Sequence, residues 1–438
     1  MLLKKNPTKS SYWLKSINNP FQPKLWSPES DITIIGAGIA GGSLALHLSK
    51  LNPKLRVTVL DARGIAGGAT GRNGGLLWPS LPDRWSDLVR NYGVNESKKF
   101  LEFSLLNCNE IKRFVDTLPS DCENHPKLEQ FPGGAVHLMS SIEDLNNWAI
   151  EIEEMKKCGG CLDIGIWNQK ELDSKLKTSL KQYHGAIHDR LAYRVRAASL
   201  VYHFIKTAHQ IFESNGGHLN VHTNTSVTKV DSLGDRMIVH TDNQSISTKK
   251  VIYCTNGFTD DLLPEAKITP IKNQVIVTKP LKNIPFDFAI TANSGYEYMS
   301  PREDGRIVMG GLRFLATNAD VGNADDASLS PKISNALATY LQSQFPEISS
   351  QVEIEEEWSG IMGWSQDRLP YVGELPDRQN EYICAGFSGH GMPRAYLCAK
   401  ACAQLVLGHD LDTSFPTSFL TDHRYGKLES KNTFASKF

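Results

Sequence analysis

Hydrophobic and polar residues along this chain follow two periods, and the points where one gives way to the other mark its elements. Ile32-Thr33-Ile34-Ile35 is a run of strand length. It feeds Gly36-Ala37-Gly38-Ile39-Ala40-Gly41, after which apolar residues keep helical spacing to residue 50. A second strand-like run, 56–60, ends in Asp61. Helical spacing returns over 95–118 through Phe100, Phe103, Ile111 and Phe114. Ser141 stands as an N-cap before the stripe Leu145, Trp148, Ile152 and Met155, which Gly159-Gly160 stops. A further helix is expected over 197–214, burying Leu200, Phe204, Ile205 and Ile211. Period-two stretches follow at 218–222, 227–231, 237–240 and 251–253. Residues 268–311 read as strands with a Glu303-Asp304-Gly305 turn before 306–309. The pattern closes with a helix over 331–345, a strand at 382–385, a glycine loop over 386–391 and a helix over 392–407. Strand–helix alternation stops after the first unit and resumes twice, which predicts interleaved domains. No internal repeat appears.

The first glycine turn has a physical reading at each position. Gly36 makes the tight turn, Gly38 lets backbone approach a pyrophosphate, and Gly41 lets the helix pack closely on the sheet. The helix start presents free N–H groups and a positive dipole end to phosphates. Asp61, at the tip of the second strand, is placed to accept hydrogen bonds from a ribose diol. A coincidental glycine turn in a strand–helix unit is the competing reading. Gly64–Gly75 is far richer in glycine than a connector needs, so its N–H groups form a nest that can approach a cofactor. The alternative for Arg72-Asn73 is a surface loop with an incidental arginine.

Composition narrows the class. With 438 residues the chain exceeds the roughly 250–300 that one core usually serves, so two domains are expected. A formal net charge of −1 gives no global field for nucleic acid or an anionic membrane. Lys4, Lys5, Lys9, Lys15 and Lys24 precede the first acid, Glu29. This stretch lacks arginine and a clear amphipathic pattern, so an ordered arm packing Tyr12, Trp13 and Leu14 on the first domain is favoured over a transit peptide. No apolar run reaches the length of a membrane span, and no signal-peptide core is present. The eight cysteines read as free thiols. Cys158-Gly-Gly-Cys161 has no matching second pair, and no metal site is expected.

Four motifs, Gly36–Gly41 with Asp61, Gly68-Ala-Thr-Gly-Arg-Asn-Gly-Gly75, Val251–Gly257 and Gly386-Phe-Ser-Gly-His-Gly391, stand in an order that resembles the FAD-dependent D-amino-acid oxidase/sarcosine oxidase family. The Gly-Arg-Asn-Gly-Gly stretch is most similar to the subgroup with γ-glutamylputrescine oxidoreductase and its fungal relatives, and the likeness spans 30–408. The resemblance implies an α/β fold: a Rossmann-like FAD-binding domain of glutathione-reductase type, interleaved with an α+β substrate domain containing an antiparallel sheet. The expected boundaries are an arm at 1–29, an FAD domain at 30–90, 185–265 and 362–438, and a substrate domain at 91–184 and 266–361. It implies cofactor contacts from Gly36, Gly38, Ile39, Ala40, Gly41, Asp61, Ala62, Arg63, Ala69, Thr70, Arg72, Asn73, Gly74, Gly75, Val227, Thr255, Asn256, Gly257, Gly389, His390, Gly391 and Met392. The implied activity is oxidation of the C–N bond of an amine or amino acid by hydride transfer to flavin, with O2 as the expected acceptor and H2O2 released. The loop before the last helix aims N–H groups at reduced flavin, whose charge a helix start stabilises.

Two departures bear on mechanism. The stretch 358–367 has no cysteine to carry flavin covalently, so FAD is expected to be dissociable. The strand 305–311 has no lysine for oxygen activation; Lys272 is the substitute candidate, against an ordinary solvated lysine. His390 reads either as direct chemistry or as a packing histidine. Arg302, Arg313 and Arg394 are candidates for a substrate carboxylate, and Tyr296 and Tyr298 for the site wall; for each, a surface ion pair or core aromatic is the alternative. No single catalytic acid or base emerges. The rival functions are a flavin-binding partner protein without turnover, and an NAD-linked dehydrogenase that explains the first motif alone. Ser436-Lys437-Phe438 resembles a peroxisomal address but for its last residue; a cytoplasmic protein is expected, with the peroxisome as alternative.

Overall fold

The computed structural model describes residues 10–15, 17, 26–160, 163–176, 180–422 and 424–425. The C-terminal tripeptide and Cys161 lie outside them. The parallel sheet forms where buried β-branched runs follow glycine turns. Its strands run Arg378–Ala385, Ser245–Tyr253, Glu29–Ile35, Arg56–Leu60, His218–His222. Antiparallel strands Val227–Leu233 and Arg236–Thr241 extend it beside Ser245–Tyr253, and Tyr371–Leu375 pairs with Arg378–Ala385.

Three helices cover one face: Ile39–Leu51, Ala197–Ser214 and Ala395–Leu407. They pack closely because Gly42 has no side chain, and a Cβ there would lie 2.8 Å from Val201. His47, Phe204 and Tyr396 interlock their rings at the shared seam. The opposite face buries Ile35, Leu60, Val251 and Tyr253 against Val239, Leu263 and Ile268.

A second eight-stranded sheet runs Ile354–Trp364, Thr269–Thr278, Ile307–Gly311, Glu297–Pro301, Ala289–Ala292, Ala135–Met139, Gly185–Asp189, Ile164–Asn168. All neighbours are antiparallel except Ala289–Ala292 with Ala135–Met139. Period-two alternation gives this sheet two fates. Ile276 and Met309 turn to the core beneath helix Pro331–Gln344, while Asn273, Val275 and Tyr298 turn the other way, towards the first domain.

Several elements differ from the sequence reading. The strand Gly185–Asp189 belongs to the second sheet, so the segment 185–189 lies across the expected boundary: its hydrogen-bonding partners are Ala135–Met139 and Ile164–Asn168. The helix expected over 95–118 is present and runs to Asp116; a further helical stretch from Trp85 precedes it, separated from it by a kink at Gly93, whose φ is 78°. The last helix starts at Ala395, after a turn formed by Met392, Pro393 and Arg394. Helix Ile142–Lys157 is capped as expected, with Ser141 accepting from the Asp144 N–H. Among the described residues no helix is long and apolar enough to cross a membrane, and no group of three metal-ligating side chains gathers.

Candidate active site

One cavity of about 980 Å³ separates the two sheets. All the residues expected at the cofactor line it except Gly41 and Gly75. At one end Gly36 turns at φ +112°, and a Cβ there would sit 2.6 Å from the Cys254 carbonyl oxygen. Gly41 lets the helix lie close on the sheet, where a Cβ would be 3.3 Å from Ile34, and closes it onto the turn as well, where the Cβ would lie 1.8 Å from the Gly36 carbonyl oxygen. The N–H of Ile39 at the helix start is taken by Thr70 Oγ1 at 2.9 Å, a bond between two motifs that sequence spacing does not reveal. The Asp61 carboxylate accepts from the Ala37 N–H at 2.7 Å and the Arg63 N–H at 2.8 Å, which fixes it at the cavity edge. Burial raises its pKa against those two bonds. Each oxygen keeps a lone pair for a further donor.

The glycine loop is held from within and from behind. Asn73 braces it, donating to Thr70 O at 2.9 Å and accepting from the Gly75 N–H at 2.8 Å. Arg72 turns its guanidinium into the protein rather than into the cavity. It donates from Nε to Gly67 O at 3.1 Å and from Nη1 to Ser359 O at 2.9 Å. Arg63 is chelated by Asp326, at 2.6 and 3.0 Å. These contacts tie the loop to the strand Ile354–Trp364 and to the segment before helix Pro331–Gln344.

Asn256, at φ 44°, clips the last glycine loop to the parallel sheet: its Oδ1 accepts from the N–H groups of Gly386 at 3.0 Å and Phe387 at 3.2 Å. His390 lines the cavity, and burial, aided by nearby Arg394, pushes its pKa down to about 4. It is therefore neutral at pH 7. With Nδ1–H donating to Ser388 O at 2.9 Å, Nε2 is left as an acceptor.

The far end is built by the second sheet. Tyr298 lies along the glycine loop, where a Cβ on Gly74 would be 2.6 Å from its ring, and Asn273 Nδ2 donates to its hydroxyl at 3.3 Å. Arg313 stacks over Tyr296 at 4.3 Å from the ring centre, and both line the cavity beside Trp364. Asp189, hydrogen-bonded by Trp78 Nε1 at 2.9 Å and the Leu191 N–H at 2.8 Å, is also on the wall; burial raises its pKa to about 6. Sequence reasoning missed Asn273, Asp189 and Trp364, which carry no motif and reach the site only through the sheet.

Three candidates for chemistry lie elsewhere. Lys272 is neither solvated nor in the cavity: it is buried on the opposite strand face, its Nζ bonded to Ser328 Oγ at 2.9 Å. Arg302 is buried under Trp13, 4.9 Å from its ring, and donates to Gly75 O at 3.3 Å. Arg394 is 1% exposed, donates to Ser80 O at 2.9 Å and does not itself line the cavity. Of the three arginines only Arg313 lines the site, because only it leaves the second sheet on the cavity side.

A family model described as FAD dependent oxidoreductase matches residues 31–405. γ-Glutamylputrescine oxidoreductase of Escherichia coli (strain K12) is 26% identical over 411 residues, 91% of this chain and 89% of that protein. Glycine oxidase of Bacillus licheniformis is 21% identical over 401 residues, 90% and 97% of the two chains. Among solved structures, glycine oxidase from Geobacillus kaustophilus matches with a TM-score of 0.72 at 18% identity, covering 91% of this chain and 99% of that one. L-Amino acid deaminase from Proteus myxofaciens, solved with anthranilate, gives 0.72 at 16% identity, covering 95% and 97%. At such identities the structural likeness establishes the fold.

Proposed function

Because the chain belongs to the FAD dependent oxidoreductase family, we propose that this cavity holds FAD non-covalently and oxidises the C–N bond of an amine or amino acid to an imine. The named relatives, an oxidoreductase of γ-glutamylputrescine and oxidases or deaminases of amino acids, support that substrate class.

The residues present fit the cofactor. Gly38 leaves backbone open at the helix start, where the Ile39 N–H is taken by Thr70 Oγ1 and the remaining first-turn N–H groups, with no intrahelical acceptor, suit a diphosphate. Asp61 has lone pairs for a ribose diol. The loop residues Gly389, Gly391 and Met392 close the same cavity at the end nearer the second sheet. When bound, FAD supplies the hydride acceptor.

The observation that carries the reading is the continuity of this cradle with a chamber walled by Tyr296, Tyr298 and Arg313. A substrate held there lies against the cofactor end of the cavity, and holding it is most of what such a reaction asks of the protein. Arg313 is assigned to the substrate's carboxylate, for which its planar fork is suited, with Tyr296 fixing the guanidinium plane. His390, neutral at pH 7, offers Nε2 as a hydrogen-bond acceptor to the substrate amine without adding positive charge. Water hydrolyses the released imine.

We assign reoxidation to O2 with release of H2O2; among the described residues no lysine lines the cavity to assist it. The bacterial relatives support a cytoplasmic location. The test is anaerobic mixing of the purified yellow protein with a panel of amines and amino acids while the flavin band near 450 nm is followed. Bleaching by one member supports the reading, and admission of air then reports whether O2 restores the band. Protein without flavin absorbance refutes it, and flavin that no member bleaches leaves the partner-protein reading in its place.

A further inference from the structure

The N-terminal arm lies outside the matched span 31–405, yet it makes some of the most convergent contacts in the molecule. Ser11 Oγ donates to Gly71 O. Trp13 Nε1 donates to Asn73 O at 2.7 Å. The Trp13 ring covers Gly75, where a Cβ would be 2.7 Å from it, and Leu14 covers Gly71 in the same way at 2.6 Å. Tyr12 OH donates to Asp304 Oδ2 at 2.6 Å, which anchors the arm on the turn of the second sheet. Arg302 completes the clamp from beneath, stacked on Trp13 and bonded to Gly75 O. The glycine loop is thus gripped between Trp13 behind and Tyr298 in front.

The grip has an electrostatic consequence. The described peptide bonds are all trans, so a carbonyl drawn to the back of the loop turns the next residue's N–H to the front. Trp13 holds the Asn73 carbonyl on the arm side, which directs the Gly74 N–H to the opposite side, where Gly74 lines the cavity. Ser11 holds the preceding turn to the arm through Gly71 O. With the arm docked, the Asn73–Gly74 peptide dipole presents its positive end to the cavity.

We propose that Trp13 is a positioning residue for the cofactor: it orients the loop peptide whose Gly74 N–H faces FAD, and so sets FAD affinity and the ease of flavin reduction. This rests on FAD occupying the cavity. Trp13 makes no contact with the cavity itself, so its effect passes through the loop.

The test compares wild type with Trp13→Phe, which keeps the ring and removes the N–H, and with Trp13→Ala. Lys15→Ala, which removes only an exposed ion pair with Glu356, serves as control. FAD affinity is measured by flavin fluorescence on reconstitution, and the flavin midpoint potential by dye-coupled reduction. A lost hydrogen bond of ordinary strength corresponds to about fivefold in affinity, so Trp13→Phe is expected to raise the FAD Kd three- to tenfold, with a more negative midpoint potential. Trp13→Ala is expected to exceed it in both, and Lys15→Ala to match wild type. Kd within twofold and an unmoved potential in Trp13→Phe overturn the proposal, even where Trp13→Ala fails to fold. Absence of FAD from wild type instead refutes the cofactor reading beneath it.

Discussion

The ion pair between Arg63 and Asp326 is where a single substitution should do most harm to the architecture that holds the site. Both side chains are 5% exposed and meet through two oxygens, at 2.6 and 3.0 Å. Arg72, 2% exposed, lies 3.9 Å from the same carboxylate. Asp326→Ala leaves two buried guanidinium groups facing each other with no anion between them. Breaking a buried pair by removing one partner costs about 3–5 kcal/mol, because the remaining charge keeps its desolvation cost and loses its compensation. Here a second cation adds repulsion, which places the expected loss at the upper end. The assay is urea unfolding of FAD-saturated protein followed by tryptophan fluorescence. Arg63→Met combined with Asp326→Leu should recover most of the stability, since it removes charge and counter-charge together. Glu102→Gln, which breaks a helix-surface pair with Lys98, should be indistinguishable from wild type. A loss below about 1 kcal/mol in Asp326→Ala, or a double variant no better than the single, refutes the reasoning.

Other outcomes follow from the same geometry. Arg313→Leu should raise KM for carboxylate-bearing substrates by about 10–100-fold, the size of a lost charge-assisted contact, and leave simple amines nearly unchanged; equal effects on both would remove Arg313 from the carboxylate's partners. Gly41→Ala should abolish FAD retention, because its Cβ would meet a backbone oxygen at 1.8 Å, and purification with flavin at wild-type stoichiometry would contradict this. Asp189 carries its proton up to about pH 6 in the fold and only to about 3.8 when unfolded. Between those values the native state binds more protons, so this contribution is full below about pH 4 and declines as pH rises through 6, by about 3 kcal/mol in all. The stability difference between wild type and Asp189→Asn, measured from pH 4 to 7, should therefore shift against wild type with rising pH; a flat difference would show that Asp189 stays ionised.

The sequence by itself determined the local elements and the glycine turns that line the cavity. Gly36, Gly38 and Gly41 are short-range requirements of one strand–turn–helix unit, and helix Ala197–Ser214 carries a strong enough 3.6-residue stripe to fix both its ends. The packing of Tyr12, Trp13 and Leu14 could be anticipated from three apolar residues in a polar stretch, but not what they pack against. Tertiary structure alone decided which polar side chains face the cavity. Lys272 and Asn273 are neighbours in one strand, and the side-chain alternation that sends one to Ser328 sends the other to the site. Arg302, Arg313 and Arg394 are equal as residue types, and only sheet pairing and the path of the chain after Gly311 bring the second into the chamber. The physical reason is range: periodicity and glycine geometry act over a few residues, whereas the Thr70–Ile39, Asn256–Gly386 and Trp13–Asn73 bonds join segments 31, 130 and 60 residues apart, a pairing that only the packed fold specifies.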